Sequence, residues 1–292
     1  MLVPERPVSK RSAQTDKNLP MAVLTPTSVD EALAALASHP DAHVLAGGTD
    51  FMVEVNFGHR RLDDVVALGR VDELRGWHVA GEAVVLGAGV TCTQLMQPDL
   101  AALLPALAQA ARTVGSPQIR NAATIGGNLG TGSPAGDLLP VLAALDATVL
   151  LRSATRTRPM SIHDFLVGPK RTAREPGELV VEVAVRAATG PQEFLKVGVR
   201  NAMVIAIANL ALVVDNGTVK VAAGSVGPTI IRTRDAEEWV WANGGVAADA
   251  DEFGRRVAAE VRPIDDHRST AAYRRRAVEV MAARALRRVA AA

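Results

Sequence analysis

The sequence predicts an α+β protein of two domains, on three observations: its length, its mixed strand and helix patterns, and a polar break near residue 188. Its 292 residues exceed the roughly 100–200 usual for one domain. β-Branched runs and alanine–leucine runs are mixed along it without a sustained βαβ alternation. The segment AATGPQE interrupts the pattern and divides residues 21–188 from 189–292. With 48% hydrophobic and 22% charged residues, the chain can fill two cores.

Residues 1–20 are polar, punctuated by proline and lack periodicity. They read as a disordered lead without the apolar core of a secretory signal, which predicts a cytoplasmic protein. Ser28 and Glu31 have capping-box spacing, and Val29, Leu33 and Leu36 recur helically until Pro40. AHVLAGGTDF is a short strand running into a glycine pair. DDVVALGRV and WHVAGEAVVLGAGVT read as strands, the second run cut by a turn at Gly81-Glu82. Asp99 opens an alanine–leucine helix to about Val114, which Pro105 should kink or shorten. The glycine-dense stretch Gly115–Gly136 leads into DLLPVLAALDATVLLRS, a helix and then a strand. ELVVEVAV (178–185) alternates as a strand, and Asn216-Gly217 between two β-branched runs is a strong hairpin signal. Asp235 to Ala292 is mostly helical, and its recurring arginines read as a solvated face.

Several function classes are excluded. Thirty-two basic against 31 acidic residues give a formal charge of +1, so a nucleic-acid surface is not expected. One cysteine, Cys92, cannot form an internal disulfide, a thiolate zinc site or an iron–sulfur cluster, and it reads as a small buried hydrophobe. The longest apolar run, Ala202–Val214, is too short for a membrane span and contains Asn209. His39 and His43 have helical metal-ligand spacing, but Pro40 between them breaks the helix, so no metal site is predicted.

The informative feature is a pair of loops, Ala46-Gly47-Gly48-Thr49-Asp50-Phe51 and Thr124-Ile125-Gly126-Gly127-Asn128. Paired glycines let the backbone approach a ligand and turn successive N–H groups into one concavity, which suits a phosphate. Thr49, Thr124 and Asn128 would add side-chain donors. One Gly-Gly alone is ordinary turn chemistry; two such loops favour a ligand gripped from both sides. Neither is a Walker A loop, and Gly87-Ala88-Gly89 lacks the third glycine of a dinucleotide fingerprint. Ser133-Pro134 offers a helix start, and Asp137 one turn later either caps it or accepts hydrogen bonds from a polyhydroxy ligand. No residue is assigned as a catalytic acid or base.

LAGGTDFMVEV, VVLGAGVTCTQL, GSPQIRNAATIGGNLGTGSPAGDLLPVLAALDATV and FLKVGVRNAM occur in this order. Together they resemble the FAD-binding medium subunits of molybdenum hydroxylases of the xanthine dehydrogenase and carbon monoxide dehydrogenase type, from about Leu24 onward. The resemblance implies a p-cresol-methylhydroxylase-type FAD-binding domain of two α+β lobes over 21–188. A C-terminal α+β domain with a small antiparallel sheet and helices would follow over 189–292. It implies that Ala46–Phe51 and Thr124–Asn128 wrap the FAD diphosphate. Val114, Gly115 and Ile119 would line the cofactor, Asp137 would meet its polar portion, and Val180 and Lys196 would flank the flavin. It further implies a heteromer with a molybdopterin-binding large subunit and a [2Fe-2S] small subunit, passing electrons to NAD+, oxygen or a quinone. A stand-alone flavin oxidase is the alternative, although the chain is short for the cap domain that activity usually needs. Val204 departs from the pattern, standing where many members carry an aspartate.

Overall fold

The computed structural model describes residues 21–59 and 63–292, so the predicted disordered lead lies outside the described residues. Strand β1 (Val23–Leu24), helix α1 (Val29–Ser38), strand β2 (His43–Leu45), helix α2 (Phe51–Asn56) and strand β3 (Val65–Ala67) build a small lobe. Its sheet is parallel with β3 in the middle. The Ser28 hydroxyl accepts from the Glu31 amide at 3.1 Å, as the capping spacing predicts. Glu31 itself turns to the Thr27 amide and hydroxyl, so only half of the box forms.

A second lobe begins with the hairpin of β4 (Trp77–Ala80) and β5 (Ala83–Gly87), turned at Gly81 with φ +63°. Six short helices follow: α3 (Cys92–Leu95), α4 (Pro98–Leu103), α5 (Pro105–Thr113), α6 (Pro117–Ala122), α7 (Ile125–Thr131) and α8 (Leu138–Ala144). Then come β6 (Thr148–Arg152), β7 (Thr157–Ser161), α9 (Ile162–Phe165), β8 (Leu166–Gly168), β9 (Arg171–Thr172) and β10 (Leu179–Arg186). The sheet is antiparallel in the order β4-β5-β10-β6-β7, which puts the ELVVEVAV strand at its centre.

Three local expectations are corrected. The helix expected over 99–114 is two helices, because Pro98 and Pro105 each occupy a first turn, where a missing N–H costs nothing. Cys92, directly after the run read as a strand and expected within the same β-like stretch, opens a helix instead, since Thr91 and Gln94 complete a capping box. Pro134 does not open α8: the Gly136 amide donates back to the Ser133 carbonyl, and the helix starts only after Asp137.

The C-terminal part is a meander of β11 (Gln192–Val197), β12 (Ala208–Asp215), β13 (Thr218–Gly224) and β14 (Ile231–Arg232), followed by α10 (Arg234–Ala242), α11 (Ala250–Glu260) and α12 (Ala271–Ala290). Asn216 and Gly217 both take positive φ at the β12–β13 turn, as the hairpin signal requires. All of β12 is buried because both its faces are covered. Leu210, Leu212 and Val214 join the core under α10, α11 and α12, while Ala211 and Val213 join the core that α5 and α8 share with the second lobe. The arginine face of α12 is not wholly solvated. Arg274 is buried and donates to the carbonyls of Ile207 and Ser225 and to Asp266 at 2.7–2.8 Å. Among the described residues no helix is long and apolar enough to cross a membrane, and no group of three potential metal ligands occurs.

Candidate cofactor site

The loop between β2 and α2 lies directly on the end of α6. A Cβ added at Gly47 would stand 1.7 Å from the Ala122 carbonyl oxygen, so only glycine permits that approach. Gly48 follows with φ +70°, and its carbonyl accepts from the Met52 amide. The amides of Gly47, Gly48, Thr49 and Asp50 donate to no group among the described residues. Ala46, Thr49 and Asp50 are half-buried around them, and Phe51 meets His43 edge-on at 5.4 Å. Lys170, in the turn between β8 and β9, donates to Glu54 at 2.6 Å and lies 3.7 Å from Asp50. That ammonium offsets the negative charge beside the loop and ties α2 to the second lobe.

The second loop is built differently from the expected amide concavity. Thr124 caps α7, its hydroxyl accepting from the Gly127 amide at 2.9 Å. The Ile125 and Gly126 amides donate to the Val90 and Ala88 carbonyls, and the Asn128 amide donates to Thr124. These four N–H groups are therefore consumed within the chain. Gly126 is needed for packing instead, because a Cβ there would fall 2.6 Å from that of Ala88. What this loop keeps for a ligand is on its side chains. The Thr124 hydroxyl proton has no acceptor among the described residues, and Asn128 Oδ1 is buried with no partner there, beside Gly136.

Between α5 and α6, Gly115 turns at φ +46° against Ile119, and Arg120 clasps the turn by donating to the Val114 and Gly115 carbonyls at 3.1 and 3.0 Å. Ile119 remains exposed on that rim. Val180 is buried on β10 where the strand's register shifts against β6, and β10 packs on α7.

Asp137 is the polar centre. One oxygen accepts from Lys196 Nζ at 2.5 Å and from the Thr113 hydroxyl at 3.0 Å; the other accepts from Asn209 Nδ2 at 3.0 Å. Lys196 also donates to the Thr113 carbonyl at 3.2 Å. The pair is therefore buried with its charges matched, as a buried ionic pair requires. Nearby Cys92 is pushed up to about 12, first by burial and then by the Asp137 charge, which keeps it a neutral thiol. Val204 packs against Gly198 and brings no charge to the site.

The structure thus brings Gly47 against the residues before Thr124, Asn128 against the turn before Asp137, and Asp137 against Lys196. Sequence reading missed Thr113, Lys170 and Asn209. Only Asn209 carried a visible signal, as the one amide within the run Ala202–Val214.

Comparison with known proteins places the chain in a family. The FAD binding domain in molybdopterin dehydrogenase matches residues 19–186, and the CO dehydrogenase flavoprotein C-terminal domain matches 193–289. The glyceraldehyde dehydrogenase medium chain of Sulfolobus acidocaldarius is 30% identical over 272 residues, covering 90% of this chain and 96% of that one. The nicotinate dehydrogenase FAD-subunit of Eubacterium barkeri is 35% identical over 227 residues, covering 73% and 77%. The solved carbon monoxide dehydrogenase of Hydrogenophaga pseudoflava matches with a TM-score of 0.87 at 30% identity, over 93% of this chain and 97% of that one. With both halves matched and the fold shared along nearly the whole length, the chain belongs to the FAD-binding medium subunits of the molybdenum hydroxylases, oxidoreductase flavoproteins.

Proposed function

We propose that this chain holds FAD in the cleft between its two glycine loops and relays electrons through it within a cytoplasmic heteromer. A [2Fe-2S] small subunit would deliver the electrons, a molybdopterin-binding large subunit would oxidise the substrate, and NAD+, oxygen or a quinone would accept them. The observation that carries the reading is the seat of Gly47 on Ala122, which closes one face of a cleft whose polar groups await a ligand.

The residues present fit a dinucleotide. Gly47, Gly48 and Thr49 offer amides to phosphate oxygens, at roughly 1.5–3 kcal/mol for each charge-assisted bond. Thr124 adds a hydroxyl, and the unpartnered Asn128 Oδ1 adds an acceptor for a hydroxyl or N–H of the ligand. Ala46, Asp50, Phe51, Ile125, Gly126 and Gly127 shape the two walls. Val114, Gly115, Ile119 and Val180 offer apolar lining, and Asp137 with Lys196 offers a polar group and a cation to the rest of the ligand. Bound there, FAD supplies redox chemistry that is filled one electron at a time and emptied in pairs. The chain's own work is binding, orientation and the electrostatic setting of that chemistry.

Purification of the chain from its native host tests this reading. It predicts FAD together with two partner chains, one carrying a two-iron cluster and one molybdopterin, and reduction of the flavin only when both are present. A chain that arrives alone and oxidises a small organic substrate unaided would contradict it.

A further inference from the structure

Asn209 stands in the middle of β12, between Ala208 and Leu210, and is fully buried. Its Nδ2 donates to Asp137 Oδ1 at 3.0 Å, and its Oδ1 has no hydrogen-bond partner among the described residues. A buried amide oxygen left without a partner is destabilising, and an alanine in this strand would bring no such oxygen with it. The opposite strand makes room for it: Gly224 is its register partner, and a Cβ there would fall 2.2 Å from Asn209 Oδ1. The sequence therefore keeps a costly side chain and a matching glycine for the sake of one hydrogen bond, which crosses from the C-terminal sheet to the start of α8.

We propose that Asn209 is a positioning residue that fixes the Asp137 carboxylate and so sets the charge that the Asp137–Lys196 pair presents to the flavin. The proposal rests on FAD occupying the cleft described above. Lys196 and Thr113 both donate to Asp137 Oδ2. Asn209 on Oδ1 holds the carboxylate plane and stops it from turning both oxygens toward the ammonium. Its amide dipole also offsets part of the carboxylate charge. Without that donor the cleft becomes more negative, and adding electrons to a flavin there becomes less favourable.

The test uses the native heteromeric complex with Asn209→Ala and Asn209→Ser, both small enough for this alanine-rich strand; only serine can donate to Asp137. FAD content, flavin absorption and flavin midpoint potential are measured in each. The expected result is full FAD in all three. In Asn209→Ala the preference for reduced over oxidised flavin falls about tenfold, a downward shift of about 30 mV for a two-electron couple. Asn209→Ser recovers most of that shift. Equal potentials in flavin-loaded wild type, alanine and serine variants overturn the role of Asn209 and leave the cofactor site standing. A wild-type complex without FAD overturns the functional reading beneath it.

Discussion

Single residues carry most of the chemistry here, and they differ in how openly the sequence shows their roles. Gly47 and Gly48 are legible as a tight turn from their own sequence, and as a loop for a ligand only in company with the second glycine pair. Gly126 and Gly127 are legible as a motif but not as a mechanism. Their amides are taken up by Ala88 and by Thr124, which only the chain's path over β5 decides. Glu178 was not legible at all. It is buried at the start of β10, where Arg158 donates to its carboxylate through Nε and Nη2, each at 2.7 Å. That guanidinium first, with the Glu175 amide and Arg156, holds its carboxyl down at about 2 against burial, which acts the other way. A depressed carboxylate stabilises the fold above its unfolded value of 4.5 and stops doing so as pH falls toward 2. Glu178→Gln should therefore be less stable at neutral pH and lose less between about pH 5 and pH 2. Urea midpoints that fall equally steeply in variant and wild type over that range would contradict the assignment.

At the scale of elements, the hydrophobic and turn patterns located the longer strands and helices but not the short ones, such as α6 and α7 within the glycine-dense stretch, where no apolar period marks a helix. Pro105 divides one periodic run into α4 and α5, a break its proline marks and helical periodicity alone cannot show. The β12–β13 hairpin was readable because Asn-Gly accepts the left-handed conformation its turn needs. Gly217→Ala imposes a Cβ on that conformation at a cost of about 1 kcal/mol. The turn lies far along the strand from Asn209, so thermal unfolding should move down while flavin content stays the same. An unchanged midpoint would show that the turn does not constrain the meander. The tie from Lys170 to α2 was invisible because it joins residues more than a hundred positions apart.

For the whole molecule, the division of the sequence into two halves hides how firmly they are joined. Strand β12 supplies alternate residues to two cores, and Asp146, which follows α8, accepts from Lys220 and Arg232 of the C-terminal sheet at 2.9 and 2.6 Å. Two bodies sharing a buried strand should unfold together, so calorimetry of the purified protein should show a single transition. Two separated transitions would mean that the junction is weaker than its burial implies. The proposed cofactor site is also a whole-molecule property, since its two loops come from separate lobes that meet where Gly47 lies on Ala122. The most direct test of the account measures FAD bound per chain in wild type, in Gly47→Ala and in Gly69→Ala, a position with open space around it. The account predicts about one FAD in wild type and Gly69→Ala and loss of most of it in Gly47→Ala, whose new methyl group collides with Ala122. A Gly47→Ala chain that retains its full complement of flavin would contradict it.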